Sequence, residues 1–189
     1  MSLYAMGVVV RYCILFPLRL LVLLLGFMLF FMAKPIVNRA FRNDRKRRRH
    51  FQRLLIRFLC GAFALSWSAV IKYHGARPPR RANQVFVANH TSLIDVVVLG
   101  LDQVYSFVGQ RHVGFVGLLQ DYLLDGMDCL WFNRMETQDR QMVARKIREH
   151  VQDHEKTPLL IFPEGTCVNN KHIVMFKRGV RKLWMGNMD

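Results

Sequence analysis

A histidine and an aspartate five residues apart, His90 and Asp95, could form a general base with an orienting carboxylate. On a single α-helix this spacing would point the two side chains about 140° apart, so they would not share a face. They can meet if His90 lies in a loop after a strand and Asp95 lies in the first turn of the next helix. The carboxylate would then fix the imidazole tautomer, and the histidine would accept a proton. The structural alternative is a capping box, because Ser92 and Asp95 also have the spacing of a helix start.

Three further groups could belong to a ligand site, and two of them are basic. Glu164 lies in a turn between Pro163 and Gly165, directly after an apolar segment, and ligand sites in open α/β sheets occur at that end of the strands. Arg134 follows another apolar segment and could bind a phosphate through two hydrogen bonds. The basic pair 177–178 could add phosphate contacts. An ordinary turn, a surface arginine and a solvated pair are the respective alternatives.

The elements that must position these residues follow an alternating pattern. From residue 77 to the end, short apolar segments alternate with helical ones, which predicts an α/β sheet domain. The predicted strands are 84–88, 104–109, 129–132 and 159–162. The predicted helices are 92–100, 115–124 and 136–153.

Residues 1–76 have a different composition and are predicted to anchor the chain in a membrane. A basic segment, 34–57, contains ten lysine and arginine residues and a single acid, and it separates two apolar segments, 7–33 and 58–71. The first apolar segment is predicted to be a retained anchor, because it reaches spanning length when its flanking arginines snorkel. A cleaved signal peptide is the alternative, disfavoured by the bulky Phe31 before a possible cut. The second segment could span the membrane, re-enter it or form a buried helix.

The net charge of +15 implies an anionic partner. A basic loop over 34–57, next to apolar segments, most often faces anionic lipid in the cytosol. A nucleic-acid arm and a solvated linker are the alternatives. If 58–71 spans fully, the rest of the chain lies on the opposite side, where the sequon at Asn89 could carry a glycan. The four cysteines have no paired spacing, which argues against a disulfide framework or a structural zinc site.

Taken together, the motifs resemble the PlsC-like glycerolipid acyltransferase family. They are an HxxxxD element at 90–95, a Phe-x-Arg element at 132–134 and an FPEGT element at 162–166. Longer phrases around them, together with 175–179, are similar to glycerol-3-phosphate acyltransferases of the endoplasmic reticulum. The resemblance covers residues 8–179. It implies a sheet flanked by helices and preceded by a membrane-associated helical region.

The resemblance implies transfer of a fatty acyl group from acyl-CoA to the sn-1 hydroxyl of glycerol 3-phosphate, giving lysophosphatidate. It implies that His90 removes the hydroxyl proton and that Asp95 holds His90. No metal or cofactor is needed, since a thioester is already activated and acyl-CoA is a co-substrate. The implied location is the endoplasmic reticulum membrane with a cytosolic active site. The implied substrate-binding residues are Arg134, Glu164, Gly165, Thr166, Lys177 and Arg178.

One departure from the family concerns the end of the sequence. The sequence ends at Asp189, ten residues after Gly179, whereas the family's domain continues with a further apolar strand. We therefore expect the C-terminal part of the fold to be missing. Two alternative functions remain: a lysophospholipid acyltransferase, and a truncated, inactive relative that acts as a membrane-bound binding protein.

Overall fold

The computed structural model describes residues 2–79, 84–132, 140–153, 155–169, 171 and 174–175. The chain forms two compact units. The first consists of Met1–Gly75 and Gly100–Gln103, and the second of Ala76–Leu99 and Val104–Asp189. Helices dominate the first unit, and the second contains the sheet.

The apolar N-terminal segment is helical along its whole described length. Helix α1 spans Ser2–Val9, a π-helical turn spans Val10–Leu15, and α2 spans Phe16–Ala40. Pro17 lies in the first turn of α2, where its missing N–H is least costly. In the described part of the chain, Tyr4–Ala40 is the one helix that is long and apolar enough to cross a membrane, by length and composition.

The outer surface of this long helix is apolar. Only 11% of its most apolar window is buried within the protein, and large side chains such as Leu24 and Met32 are more than half exposed. A contiguous apolar surface of this kind marks contact with lipid or with another protein. The helix therefore fits the predicted membrane anchor.

The prediction of a basic loop over 34–57 is wrong, because nearly all of that segment is helical. Helix α3 spans Arg45–Ser66, and only residues 41–44 separate it from α2. Arginine, lysine, glutamine and leucine are strong helix formers, so the basic sequence continues both helices. Asp44 caps α3, since its side chain accepts a hydrogen bond of 2.9 Å from the amide of Arg47.

Helices α2 and α3 form an antiparallel hairpin. Near the turn, the Gln52 side-chain amide donates to Asn38 Oδ1 at 2.8 Å. Further along, Phe27 and Phe63 meet edge to face with centroids 5.4 Å apart. Gly26 lies against α3 so closely that an added Cβ would be 2.5 Å from the Cβ of Ala62. A small residue is therefore required where the two helices approach.

Replacing Gly26 with leucine is expected to destabilise the hairpin by about 1–3 kcal/mol, the typical cost of overpacking. The matched control is Gly7→Leu on α1, where an added Cβ has no neighbour within 4 Å. Leucine is the better helix former at either position, so any loss at Gly26 comes from packing. Thermal unfolding of the detergent-solubilised chain measures both variants. Equal midpoints would contradict the packing argument.

The second apolar segment, 58–71, is helical only as far as Ser66. The helical part beginning at Phe58 is nine residues long and rises about 14 Å, against roughly 30 Å of hydrocarbon in a bilayer. Ser68 has a positive φ of 54°, and no regular structure follows to the end of the segment. This segment alone is therefore too short to cross a membrane as a helix.

The predicted α/β sheet is confirmed. All strand pairings are parallel, and the strand order is β1-β4-β2-β3. The strands are β1 Val85–Val87, β2 Ser106–Gln110, β3 Leu130–Phe132 and β4 Leu159–Ile161. The helices between them are α4 Ile94–Asp102, α5 Gly114–Leu124 and α6 Arg140–Gln152.

The second unit, which contains the sheet, is called the sheet unit below. Its core lies between the central strands and α6. Leu159 and Ile161 of β4 are buried and pack against Ile147 of α6. Because β4 lies between β1 and β2, burial of its side chains holds the middle of the sheet. Parallel strands end at the same edge, so the loops after β1 and β4 leave the sheet side by side.

Candidate functional site

The two residues singled out by their spacing lie at the carboxyl edge of the sheet. His90 is in the loop after β1, and Asp95 is in the first turn of α4. The imidazole Nδ1 is 3.0 Å from Oδ2 of Asp95. Their side chains are 16% and 20% exposed, so the pair is shielded but still reachable by a reactant. The contact predicted from the sequence is therefore present.

The Asp95 carboxylate accepts hydrogen bonds from several groups of the loop that precedes α4. Its Oδ2 accepts from the amides of Thr91 and Ser92 at 2.6 and 3.0 Å, and its Oδ1 accepts from the Thr91 hydroxyl at 2.7 Å. Partial burial acts to raise the pKa of Asp95. The hydrogen bonds from Ser92, Thr91 and His90 outweigh that effect and lower the pKa below its usual value. The carboxylate is thus held in its charged form.

The capping interpretation of this segment also proves correct. The Ser92 hydroxyl accepts from the Ile94 amide at 3.2 Å, while the Ser92 amide donates to Asp95. These are reciprocal bonds of the capping-box kind. The predicted contact and the predicted cap are therefore compatible, since one carboxylate both starts α4 and contacts His90.

The contact with Asp95 determines the form of the imidazole. An ionised carboxylate only accepts hydrogen bonds, so the proton between the two groups belongs to Nδ1 of His90. The Nε2 atom then carries the lone pair and can accept a proton from a bound reactant. The carboxylate would stabilise the imidazolium so formed, which is the arrangement of a histidine general base.

A second loop, 162–168, directly follows β4 and holds residue 90. The amide of His90 donates to Oε2 of Glu164 at 2.8 Å, and the carbonyl of His90 accepts from the amide of Val168 at 2.8 Å. The ring of Phe162 stacks on the imidazole with centroids 4.2 Å apart and planes 18° from parallel. Glu164 is only 8% exposed, so its bond to His90 is protected from water.

The turn inside this loop depends on glycine. Gly165 has a φ of +65°, in the left-handed region, and its amide donates to the Phe162 carbonyl at 3.1 Å. Gly165 and Thr166 are both exposed. The turn therefore buries Glu164 while leaving the next two residues open to a ligand.

The contacts that Phe162 and Val168 make with His90 were not predicted from the sequence, although Phe162 begins the FPEGT element. Phe162 carried a weak signal, an aromatic residue at the end of a strand beside a candidate site. Val168 carried none, because it acts through its backbone amide, which nearly every residue type possesses.

The predicted phosphate-binding residues Arg134, Lys177 and Arg178 lie outside the described residues. A cavity of about 560 Å³ borders the strand that leads to the first of them, with Trp131 and Phe132 in its wall. Neither His90 nor Asp95 lines this cavity. In the described part of the chain, no three histidine, cysteine or acidic side chains are grouped to hold a metal ion.

A parallel α/β sheet with a His–Asp pair at its carboxyl edge defines a domain suited to base catalysis by histidine. Residues 70–186 match the family model described as Acyltransferase. The chain is 39% identical over 183 residues to glycerol-3-phosphate acyltransferase 4 of Homo sapiens, covering 94% of this chain and 38% of that protein. It is 38% identical over 176 residues to glycerol-3-phosphate acyltransferase 3 of Mus musculus, covering 93% of this chain and 40% of that protein. The chain belongs to the acyltransferase family, which confirms the resemblance noted in its motifs.

The similarity extends over nearly the whole chain but not over the whole of its relatives. Glycerol-3-phosphate acyltransferase 3 of Xenopus laevis is matched at 38% identity over 93% of this chain and 39% of that protein. The chain thus spans about two fifths of the length of the curated relatives it matches. No solved structure matches the chain.

Proposed function

We propose that this protein transfers a fatty acyl group from acyl-CoA to the sn-1 hydroxyl of glycerol 3-phosphate, forming lysophosphatidate. The observation that carries this proposal is the contact of Asp95 with Nδ1 of His90, which leaves Nε2 as a base. The identity to relatives named glycerol-3-phosphate acyltransferases supports the choice of acceptor.

The reaction proposed for this site is a direct acyl transfer. His90 Nε2 takes the proton from the glycerol hydroxyl as its oxygen attacks the thioester carbonyl. Asp95 stabilises the resulting imidazolium through Nδ1. When the tetrahedral intermediate collapses, the carbon–sulfur bond breaks, and the imidazolium returns its proton to the CoA thiolate. The thioester is already activated, so the scheme uses no metal or cofactor.

Substrate binding in this proposal depends on both loops and on residues beyond them. Arg134 binds the acceptor phosphate, assisted by Lys177 and Arg178. Gly165 and Thr166 are exposed beside the His90 loop, which supports a place for them in the acceptor site.

The acceptor can be tested by supplying labelled acyl-CoA to purified, reconstituted chain with different acceptors. We expect label to appear in lysophosphatidate when glycerol 3-phosphate is supplied. Label in phosphatidate when lysophosphatidate is supplied, with none from glycerol 3-phosphate, would indicate a lysophospholipid acyltransferase. No transfer to either acceptor would reject the activity for this chain and favour a membrane-bound binding protein.

The proposed location is the endoplasmic reticulum membrane, with the sheet unit in the cytosol. The long apolar helix supports a membrane anchor. At the turn of the hairpin, several basic side chains are exposed, including Arg42, Arg45 and Arg47. Each basic residue near an anionic bilayer surface contributes about 1 kcal/mol of attraction.

The side of the membrane can be read from Asn89, which lies in an exposed position within a glycosylation sequon. A cytosolic sheet unit predicts that the chain expressed in eukaryotic cells keeps its mass after treatment with a glycosidase. A glycan on Asn89 would instead place the sheet unit in the lumen.

A further inference from the structure

Residue 90 is held from the loop after β4 by contacts to its amide, its carbonyl and its ring. We propose that Glu164 is a positioning residue, which acts on the reaction through the backbone of His90, and that Phe162 shares this role through the imidazole ring. The inference rests on the proposed function for its effect on rate. It changes the role of Glu164 from a substrate ligand to a support of the base.

The hydrogen bond of Glu164 is the first part of the argument. One carboxylate oxygen accepts from the His90 amide at 2.8 Å, and the side chain is 8% exposed. A charged acceptor makes a bond about twice as strong as a neutral one, and exclusion of water preserves that strength. Since the donor of this bond is the amide of residue 90 itself, a displacement of the Glu164 carboxylate would change the position of the His90 backbone and with it the imidazole.

The contacts by which the loop after β4 holds residue 90 form a clamp. Hydrogen bonds between the backbones of the two loops explain why this clamp can be rigid. Strands β1 and β4 are neighbours, with Val87 opposite Ile161, and the Ala88 amide extends the ladder by donating to the Ile161 carbonyl at 3.3 Å. Beyond the ladder, the Val168 amide donates to the His90 carbonyl at 2.8 Å. The backbone of residue 90 is therefore hydrogen-bonded to the loop after β4 through both its N–H and its C=O.

The ring of His90 is fixed by stacking as well. Phe162 lies against the imidazole, and Phe107 lies behind Phe162, with those two ring centroids 6.0 Å apart and the planes 9° from parallel. Because Phe162 covers one face of the imidazole, the ring nitrogens at its edge remain available for reaction. With Asp95 occupying Nδ1, the direction of Nε2 is determined by contacts from both loops.

The test compares Glu164→Ala and Glu164→Gln in the acyl-transfer assay. Alanine leaves the His90 amide without its acceptor, and we expect kcat to fall about 10- to 100-fold while the KM for glycerol 3-phosphate changes less than about twofold. Glutamine offers a carbonyl oxygen to the same amide, so its kcat should stay within about fivefold of the wild type. The matched control is Glu149→Ala, on an exposed glutamate of α6.

A large rise in KM with kcat unchanged, in either Glu164 variant, would overturn the proposal in favour of direct substrate binding. Equal loss in the alanine and glutamine variants would overturn it too. Phe162→Leu should lower kcat with KM unchanged, whereas Phe86→Leu, which removes a ring that contacts Tyr105, should leave kcat unchanged.

A second readout does not require activity. Modification of histidines by diethyl pyrocarbonate, mapped by mass spectrometry, reports how firmly His90 is held. Glu164→Ala should speed modification of His90 at least threefold, Glu164→Gln should not, and the exposed His112 serves as internal reference. If His90 responds while acyl transfer is absent in the wild type, the clamp stands and the proposed function fails. Unchanged His90 modification would reject the clamp whatever the activity.

Discussion

Replacing His90 with alanine is expected to lower acyl transfer by about 10²- to 10⁴-fold, the range for loss of a general base. The residue supplies the lone pair on Nε2, and among the described residues no other histidine contacts a carboxylate oxygen. The loss should appear in kcat, because the imidazole acts on the reacting hydroxyl rather than on the substrate phosphate. Incorporation of labelled acyl-CoA into lysophosphatidate measures it.

The matched control for this prediction is His112→Ala. His112 follows β2 at the same edge of the sheet, but it is exposed, and its Nδ1 is 3.2 Å from the Gln120 amide oxygen rather than from a carboxylate. Its loss should change activity less than about twofold. Equal activity of wild type and His90→Ala would reject base catalysis at this position. Equal loss in both histidine variants would mean that the effect is not specific to residue 90.

The sheet could be predicted from the sequence because its signals are local. Each strand is a short apolar run between turn residues, and each predicted segment overlaps the observed one within a few residues, as in 159–162 against Leu159–Ile161. The observed order β1-β4-β2-β3 was not predicted. Which strands become neighbours depends on packing between segments that are distant in the sequence. Hydrophobic periodicity is a local property and does not predict the strand order.

The basic segment shows where local signals mislead. Its charge suggested a loop that faces anionic lipid, yet Arg, Lys and Gln are good helix formers, and the Asp44 side chain caps α3 by accepting from the Arg47 amide at 2.9 Å. Helix formation and charge are separate properties. A run of arginines predicts that a segment attracts anionic partners. It does not predict whether the backbone of that segment is helical.

The same division appears in the candidate site. The contact of His90 with Asp95 joins residues five apart, and it was predicted on the condition that His90 lies in a loop and Asp95 in the first turn of the next helix. The contact of His90 with Glu164 joins residues 74 apart, and it exists because β1 and β4 are neighbours in the sheet. The resemblance identified Glu164 as a site residue. Its bond to a backbone amide follows only from the three-dimensional structure.

Replacing Asp95 with asparagine is expected to lower kcat by about 10²- to 10⁴-fold. The carboxylate accepts from Nδ1 of His90, from the Thr91 amide and hydroxyl, and from the Ser92 amide. Asparagine has one carbonyl oxygen and an NH₂ group, so it cannot accept all of these bonds. If its NH₂ faces His90, the proton moves to Nε2 and the base is lost. The corresponding change in a Ser-His-Asp triad costs about 10⁴ in kcat.

The control for Asp95 is Asp121→Asn, on an exposed aspartate of α5 that pairs with Arg111 at 3.1 Å. That substitution should leave kcat within about twofold of wild type, since surface pairs contribute little. Both variants should retain the sheet by circular dichroism. If Asp95→Asn keeps full activity with a normal fold, His90 does not need an ionised partner, and the proposed stabilisation of the imidazolium is wrong.

The lowered pKa of Asp95 makes the stability difference between the wild type and the Asn variant depend on pH. A carboxyl whose pKa is lower in the folded state contributes stability above its unfolded pKa of about 3.9, and that stability disappears as the pH falls through the folded value. The wild type should therefore be more stable than Asp95→Asn at pH 5, and the difference should shrink below about pH 4. Thermal unfolding of the two proteins in detergent, across that range, measures it. A difference that grows as the pH falls below 5 would have the wrong sign, because it would mean that folding favours the protonated carboxyl.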